Sequence, residues 1–583
     1  MTLRRWVVAG AAREVTVAAG LAFVLFFAGT AWTPLIGRDE PRFAEAAREM
    51  LARGELVVPT FGGVNRYDKP ILVYWCTMAS YAVFGVNEVA ARLPSNVAGA
   101  LSVLLLAWWA RRRWGPGAGL LAGLLLAVSM TFNLEARACT ADLVMVLPGL
   151  AAMLALESLA VGRGKAGAAA VLWAGLGLAT LAKGPVAPAF VVFTGVGCWA
   201  LARRWKRWEA VVLTLVLVAG WWRLGPTVLI LPVAWAAAEA LSSASGRALL
   251  SRLRWVWGVP LFLVLTVPWA AAAWHATGGE FFRVGFGKHV LARSLSPLES
   301  HGGFPGFYVV TAVIAAFPWF AFLPAALAGL GRGVRDEPRL RFLLGWLIGP
   351  LIMLELVETK LVHYWLLAYP AGVLLVVGWL LSRREQSSGG RTLTVAMLLL
   401  GGVPLAVLPA AVAVHFGVNT LLTPGVVVGV VMLSGLAFAV ASRTSRRQLR
   451  VMIAVSALYL LGLLGWFLPE LGGQLVGPRS ARTVLEARRD GERVLIYEAR
   501  DDELFFYLPL DSINCRPRAC LADHIAAGEP FVGVARLDDL ERFERERPAV
   551  PVRVIDTVSG IDLGHGRWTR MALFRGGSSY IID

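Results

Sequence analysis

The sequence predicts a polytopic α-helical membrane protein with a small soluble α/β domain at its C-terminal end. Three observations carry that expectation. The 583 residues are 57% hydrophobic and 16% charged, with a mean hydropathy of +0.64, whereas soluble domains carry about 25% charged residues. Long apolar stretches bounded by arginine clusters recur from about residue 16 to 468, which excludes disorder, fibrous repeats and a small secreted scaffold. From residue 470 onward the balance reverses to 16 Arg, no Lys and 19 Asp+Glu, a net −3. The remainder therefore holds +20 of a chain whose total is +17. Because that excess sits in short Arg-rich loops, anionic lipid and the positive-inside rule account for it, and nucleic acid is not the expected partner.

The elements follow in order. The start, MTLRRWVVAGAAR, is basic and precedes about 20 apolar residues. This is longer than a signal-peptide core and lacks a clear cleavage site, so a retained anchor with a cytoplasmic N-terminus is expected. Basic clusters recur at Arg111 to Arg113, Arg163 with Lys165, Arg203 to Arg207, Arg247 to Arg254, Arg332 to Arg341, Arg383 to Arg391 and Arg443 to Arg450. If all are cytoplasmic, spans must come in pairs between them. Residues 71–86 then read as an interfacial or re-entrant segment, with the next span at 90–110. Further spans are expected near 117–133, 141–161, 167–182, 186–201, 209–222, 226–241, 255–274, 305–329, 340–358, 361–381, 392–415, 421–441 and 450–468. That makes about 15 spans, or 13 plus a hairpin, since the 209–241 pair is short and broken by Trp222-Arg223 and Gly225-Pro226. Residues 1–469 form the membrane domain, with long outer loops at 37–89 and 275–304. Residues 470–583 form the outer α/β domain, where Cys515 and Cys520 lie close enough in sequence for a disulfide to be one option.

Charged side chains gather on the expected outer face. In GRDEPRFAEAAREMLARG, Asp39 and Glu40 precede Pro41, and Phe43, Ala46, Ala47, Met50 and Leu51 repeat at helical spacing. An amphipathic helix on the membrane surface, with carboxylates at its N-terminus, is expected. Asp39 alone would serve equally well as a helix cap. A second acid, Asp142, opens a span just after the short loop ARACT, and two acids meeting on one face favour chemistry over capping. Only six Lys occur, and Lys69, Lys183, Lys288 and Lys360 all map to the outer face, against the positive-inside trend, so an anionic partner is expected there. His289, His301 and His363 lie near Arg293 and Lys360 in sequence, without metal-ligand spacing. Asp39, Asp142 and a histidine could still assemble a divalent metal site, which the spacing does not demand. No phosphate-cradling glycine motif is present. Carboxylates that can accept a proton and cations that can hold a phosphate would suit a group transfer whose donor arrives on a lipid carrier.

The run Asp39-Glu40-Pro41-Arg42-Phe43-Ala44-Glu45, followed by Tyr67-Asp68-Lys69-Pro70, resembles the first outer loop of the aminoarabinose (lipid A) transferase and protein O-mannosyltransferase superfamily. These are polyprenyl-phosphate-sugar-dependent glycosyltransferases of the GT-C fold. Ala136-Arg137 with Asp142, Leu181-Ala182-Lys183-Gly184-Pro185, Pro268-Trp269, Phe317-Pro318-Trp319, and Thr359-Lys360 with His363-Tyr364 and Pro370 continue the series. The resemblance implies inverting transfer of a sugar from a polyprenyl-phosphate donor to a lipid, glycan or protein acceptor at the outer face of the cytoplasmic membrane. It implies Asp39 as the catalytic carboxylate, with Glu40 and Asp142 beside it, Asp142 supporting the acceptor side or orienting the site. It implies Lys69, Arg293 and Tyr364 as the donor-phosphate ligands, with Arg42, Arg137, Lys183, Lys360 and His363 as further substrate-binding candidates. Phe43 stands where the family usually has Tyr, and Asp68 where Glu is common. The 209–241 hairpin is not typical of the family.

The competing reading is a transporter or flippase of polyprenyl-linked sugars. It predicts charges near the bilayer midplane on broken helices, whereas the acids here cluster at one face. A non-catalytic assembly protein would leave the lysine placement unexplained.

Overall fold

The computed structural model describes residues 2–203, 206–224, 228, 230–285, 287, 302–330, 334, 337–382, 387–498, 501–516, 518–547 and 552–576. Arg293, Lys288, His289 and His301 lie outside the described residues, as does most of the expected second outer loop.

The chain opens with α1 (Thr2–Phe27), α2 (Asp39–Arg53), the β1–β2 hairpin (Thr60–Phe61, Val64–Asn65), α3 (Leu72–Phe84), α4 (Glu88–Trp114), α5 (Ala118–Ala127), α6 (Met130–Ala136), α7 (Ala141–Ala160) and α8 (Ala166–Lys183). Among the described residues, eight helices are long and apolar enough to cross a membrane, or ten if each of two bent pairs counts as one span. The bent pairs are α5 with α6, at 73°, and Phe307–Ala315 with Trp319–Gly329, at 115°. The count expected from the sequence is 13 to 15; Val186–Ala202, at 17 residues, and Ile230–Ser242, at 13, are shorter apolar helices. The protein is a multi-pass membrane protein.

At 13 residues, α3 is shorter than the roughly 20 residues a span needs. It packs beside α2, where the Tyr81 hydroxyl donates to the Ala44 carbonyl. Gly54, in the left-handed conformation, ends α2 as its C-cap. The apolar face of α2 is buried as its spacing predicts, through Phe43, Ala46, Ala47 and Met50. Its polar face is not left to solvent or headgroups. Arg48 donates to the backbone carbonyls of Phe505 (2.6 Å) and Leu508 (3.0 Å), and Arg42 pairs with Asp502 at 2.8 Å. The helix expected to lie on the membrane surface is thus held between α3 and the C-terminal domain.

That domain is built on a five-stranded sheet, with β3 (Arg493–Tyr497), β4 (Ile513–Cys515), β5 (Phe531–Arg536), β6 (Arg553–Asp562) and β7 (Arg567–Gly576) in the order β4-β3-β5-β7-β6. β3 runs parallel to β4 and β5, and β7 runs antiparallel to β5 and β6. Alternate residues face opposite sides. Val494, Ile496, Val532 and Val534 pack with Val484 and Phe505 on one face. Leu495, Tyr497, Phe531 and Ala535 pack with Phe543 on the other. Burial on both faces explains the unbroken apolar run of the central strand β5. Cys515 and Cys520 form a disulfide that ties the end of β4 to the following helix.

Candidate active site

The stretch between α1 and α4 is organised around a buried carboxylate. Glu40 accepts from both sides of the Arg92 guanidinium, at 2.9 and 2.8 Å, and from the backbone amides of Ile36 and Cys139, each at 2.9 Å. Arg92 also donates to the carbonyls of Thr30, Thr33 and Pro34. Burial alone would raise the Glu40 pKa, but Arg92 and the two amides hold the carboxyl below the usual carboxylate range. With both oxygens occupied, Glu40 is a clamp joining the start of α2 to α4 and to the 137–140 loop. Its expected place beside Asp39 as a reacting group is corrected on that ground.

Asp39, one residue earlier, is exposed at the N-terminus of α2. Its charge reaches Glu135, His363 and Arg66. Glu135 stands at the end of α6, accepts from the Thr140 hydroxyl at 2.9 Å, and faces the His363 ring at 3.6 Å. Asp142, at the start of α7, forms a buried ion pair with Lys183 at the end of α8. The Lys183 ammonium lies 5.3 Å from the centre of the Tyr364 ring, within cation–π range. Five separate segments therefore bring Asp39, Glu135, Asp142, Lys183, His363 and Tyr364 together.

Beside this cluster lies a cavity of about 430 Å³, with Asp68, Lys69, Asp142, Lys183 and Tyr364 on its polar side. Its apolar wall is partly aromatic. Trp269 stacks edge-on against Phe281 at 5.2 Å, and Tyr67 meets Phe281 at 5.5 Å. Trp269 is held by its indole N–H, which donates to the Val57 carbonyl. Asp68 forms an ion pair with Arg66 at 3.2 Å, and Arg66 in turn bonds the Tyr74 hydroxyl and covers the Phe43 ring. Phe43, the departure noted in the sequence, thus offers a π-face to a cation where a phenol would have added a hydroxyl.

Three of the expected substrate-binding cations lie elsewhere. Arg42 turns away from the cavity to Asp502. Lys360 donates to the carbonyls of Glu355 and Val357, closing the end of the Pro338–Glu355 helix, and burial lowers its pKa; uncapped helix carbonyls attract a cation in this way. Arg137 is buried beside Arg92 and Glu40, with Nη1 lacking a hydrogen-bond partner, and burial and Arg92 push its pKa down. Lys69, Lys183, His363 and Tyr364 are brought together as expected. Sequence reasoning missed Glu135 and Arg92. Glu135 follows the expected span 117–133 by two residues, and an acid at the edge of an apolar run is the signal that could have found it.

Among the described residues, no three His, Cys, Asp or Glu side chains are arranged to hold a metal ion. What the cluster offers instead is a set of carboxylates beside fixed cations at the mouth of an apolar cavity. A lipid tail can enter such a cavity while its charged head stays at the cations.

Residues 68–224 match the family described as dolichyl-phosphate-mannose-protein mannosyltransferase. The undecaprenyl phosphate-alpha-4-amino-4-deoxy-L-arabinose arabinosyl transferase of Edwardsiella ictaluri is 28% identical over 438 residues, covering 72% of this chain and 69% of the relative. That of Pectobacterium atrosepticum is 26% identical over 459 residues, covering 76% and 75%. The crystal structure of ArnT from Cupriavidus metallidurans bound to undecaprenyl phosphate superimposes with a TM-score of 0.68 at 22% identity, covering 96% of this chain and 97% of that one. The chain thus shares the fold of this structure along nearly its whole length, and most of its sequence is similar to arabinosyl transferases named for an undecaprenyl-phosphate donor.

Proposed function

We propose that the protein transfers a sugar from a polyprenyl-phosphate carrier to an acceptor hydroxyl or phosphate on a lipid, glycan or protein. The observation that carries this reading is the cavity whose apolar wall ends at Lys69, Asp142, Lys183 and Tyr364, with Glu135 in electrostatic reach of Asp142 and Lys183, and Asp39 in reach of Glu135 and His363. The relatives' names support undecaprenyl phosphate as the carrier and an aminoarabinose-type sugar as the group moved. The site would face outward, with the N-terminus in the cytoplasm and the C-terminal domain outside, as the arginine-rich loops suggest.

In this mechanism the isoprenoid lies along the aromatic wall and its phosphate rests at Lys69. Lys183, fixed by Asp142, keeps positive charge near the departing phosphate, which then leaves without being protonated. The acceptor approaches from the α2 side. It attacks the sugar C1, the C1–O bond to the phosphate breaks, and Asp39 takes the acceptor proton. Glu135 and His363 hold the polar surroundings of Asp39 in place.

The test uses purified protein, a synthetic undecaprenyl-phosphate sugar and three acceptors: lipid A, a glycan and a hydroxyl-bearing peptide. Transfer to one of them, lost in Asp39→Asn with donor binding retained, is the expected result. Carrier movement across vesicles without sugar release would favour a flippase instead. Full transfer by Asp39→Asn would remove Asp39 from the mechanism.

A further inference from the structure

The membrane region holds a second cavity, on the face away from the carboxylates. Helix α4 separates the two faces. Arg92, clamped to Glu40, stands near its start, and Arg111 stands 19 residues later near its end, about 28 Å away at 1.5 Å per residue. Beside the far end, where Pro116 and Gly117 follow α4, opens a groove of about 720 Å³. Its walls come from α1, α5 and the helices Tyr369–Leu381 and Ser445–Gly462, with Leu25, Leu121, Leu124 and Ile453 among the apolar side chains.

One end of the groove is cationic. Arg446 and Arg450 stand one turn apart on the same helix, and both line it. Among the described residues, no carboxylate lines the groove. The nearby acid, Glu14, is engaged by Arg111 at 3.2 Å and by the amides of Gly117 and Leu120. Arg446 donates to the Leu380 carbonyl at 3.2 Å, which aims it across the groove mouth, and Arg450 is exposed. The Ser445–Gly462 helix also begins here, capped by Thr444, so its first amides add to the positive potential.

An apolar slot among membrane helices with two arginines at one end complements a lipid whose head is an anion. A zwitterionic head would bring its own cation against the same arginines. We propose that this groove binds an anionic phospholipid of the surrounding bilayer, with its phosphate between Arg446 and Arg450 and an acyl chain along the α1–α5 wall.

The test is native mass spectrometry of the full chain released from vesicles of equal parts phosphatidylglycerol and phosphatidylcholine. Wild-type protein should carry over phosphatidylglycerol in preference. In the Arg446→Gln/Arg450→Gln variant that retention should fall roughly thirtyfold, at about a factor of five per cation near the surface, while phosphatidylcholine retention stays unchanged. Ala454→Trp, which narrows the groove and leaves both arginines, should also lose phosphatidylglycerol, and it decides the matter if the double variant does not fold. Equal retention of the two lipids by the wild type would overturn the proposal, as would undiminished phosphatidylglycerol in a folded double variant or in Ala454→Trp. Displacement of phosphatidylglycerol by added undecaprenyl phosphate would overturn it in favour of the carrier lipid.

Discussion

Asp142 and Lys183 form a buried ion pair whose ammonium also lies 5.3 Å from the centre of the Tyr364 ring. Two helix ends, α7 and α8, are thereby fixed against a third segment that begins at Val362. Removing one member of a buried pair strands the other and costs about 3–5 kcal/mol. Asp142→Asn and Lys183→Met should each lower thermal stability and abolish transfer. The double change should restore stability without restoring transfer. Stable single variants would show that the pair contributes little to the fold.

Arg92 carries five hydrogen bonds, two to Glu40 and three to carbonyls of the chain leading into α2. Lysine keeps the charge but loses the planar fork. Arg92→Lys should reduce kcat by about a hundredfold, because a displacement of even 1 Å at Asp39 costs that much, while donor binding measured at equilibrium should change little. An unchanged kcat would show that the clamp does not position Asp39.

Tyr507 links the C-terminal domain to the site. Its hydroxyl donates to Glu88 at 3.0 Å and accepts from the Leu35 amide at 2.9 Å, five residues before Glu40. Tyr507→Phe should cost about 1–3 kcal/mol, since a buried amide loses its partner. It should also lower kcat with KM for the donor held. Loss of donor affinity instead would place Tyr507 on the carrier path.

Burial raises Glu503 to about 8, and the neighbouring Asp501 and Asp502 add to the shift. A carboxyl whose folded pKa lies above its unfolded value costs stability as it ionises. The domain should therefore lose stability as pH rises from about 4.5 to about 8 and level off above that. Glu503→Gln should flatten this dependence. Thermal unfolding followed across that range checks it, and an identical slope in the variant would assign the effect to another group.

Glu135→Gln keeps the size of the side chain and replaces the carboxyl group facing His363 at 3.6 Å with an amide. Transfer should fall by about a hundredfold, within the range for a positioned acid–base group. Pairing it with His363→Gln should give much less than the product of the two losses, as expected for groups in contact. Independent effects in that double-mutant cycle would separate them.

Much of this protein was legible in its sequence because the signals are local. Apolar run length, arginine placement and the charge reversal at residue 470 report how each segment meets lipid or water, and neighbours in the chain suffice for that. The grouping of two of the scarce lysines, Lys69 and Lys183, near Asp142 was legible for the same reason, whereas Lys360 goes elsewhere and Lys288 lies outside the described residues. What only the tertiary structure decided is which side chains are free to act. Glu40 and Asp39 are adjacent in the chain, yet helix geometry turns one into the Arg92 clamp and leaves the other exposed. Arg42 goes to Asp502 and Lys360 to helix-end carbonyls, partners that sequence spacing does not reveal. Glu135 joins the site because α6 bends by 73° from α5 and ends next to residues 142, 183 and 363. Composition sorts residues by environment, but hydrogen-bond partners are settled where distant helices cross.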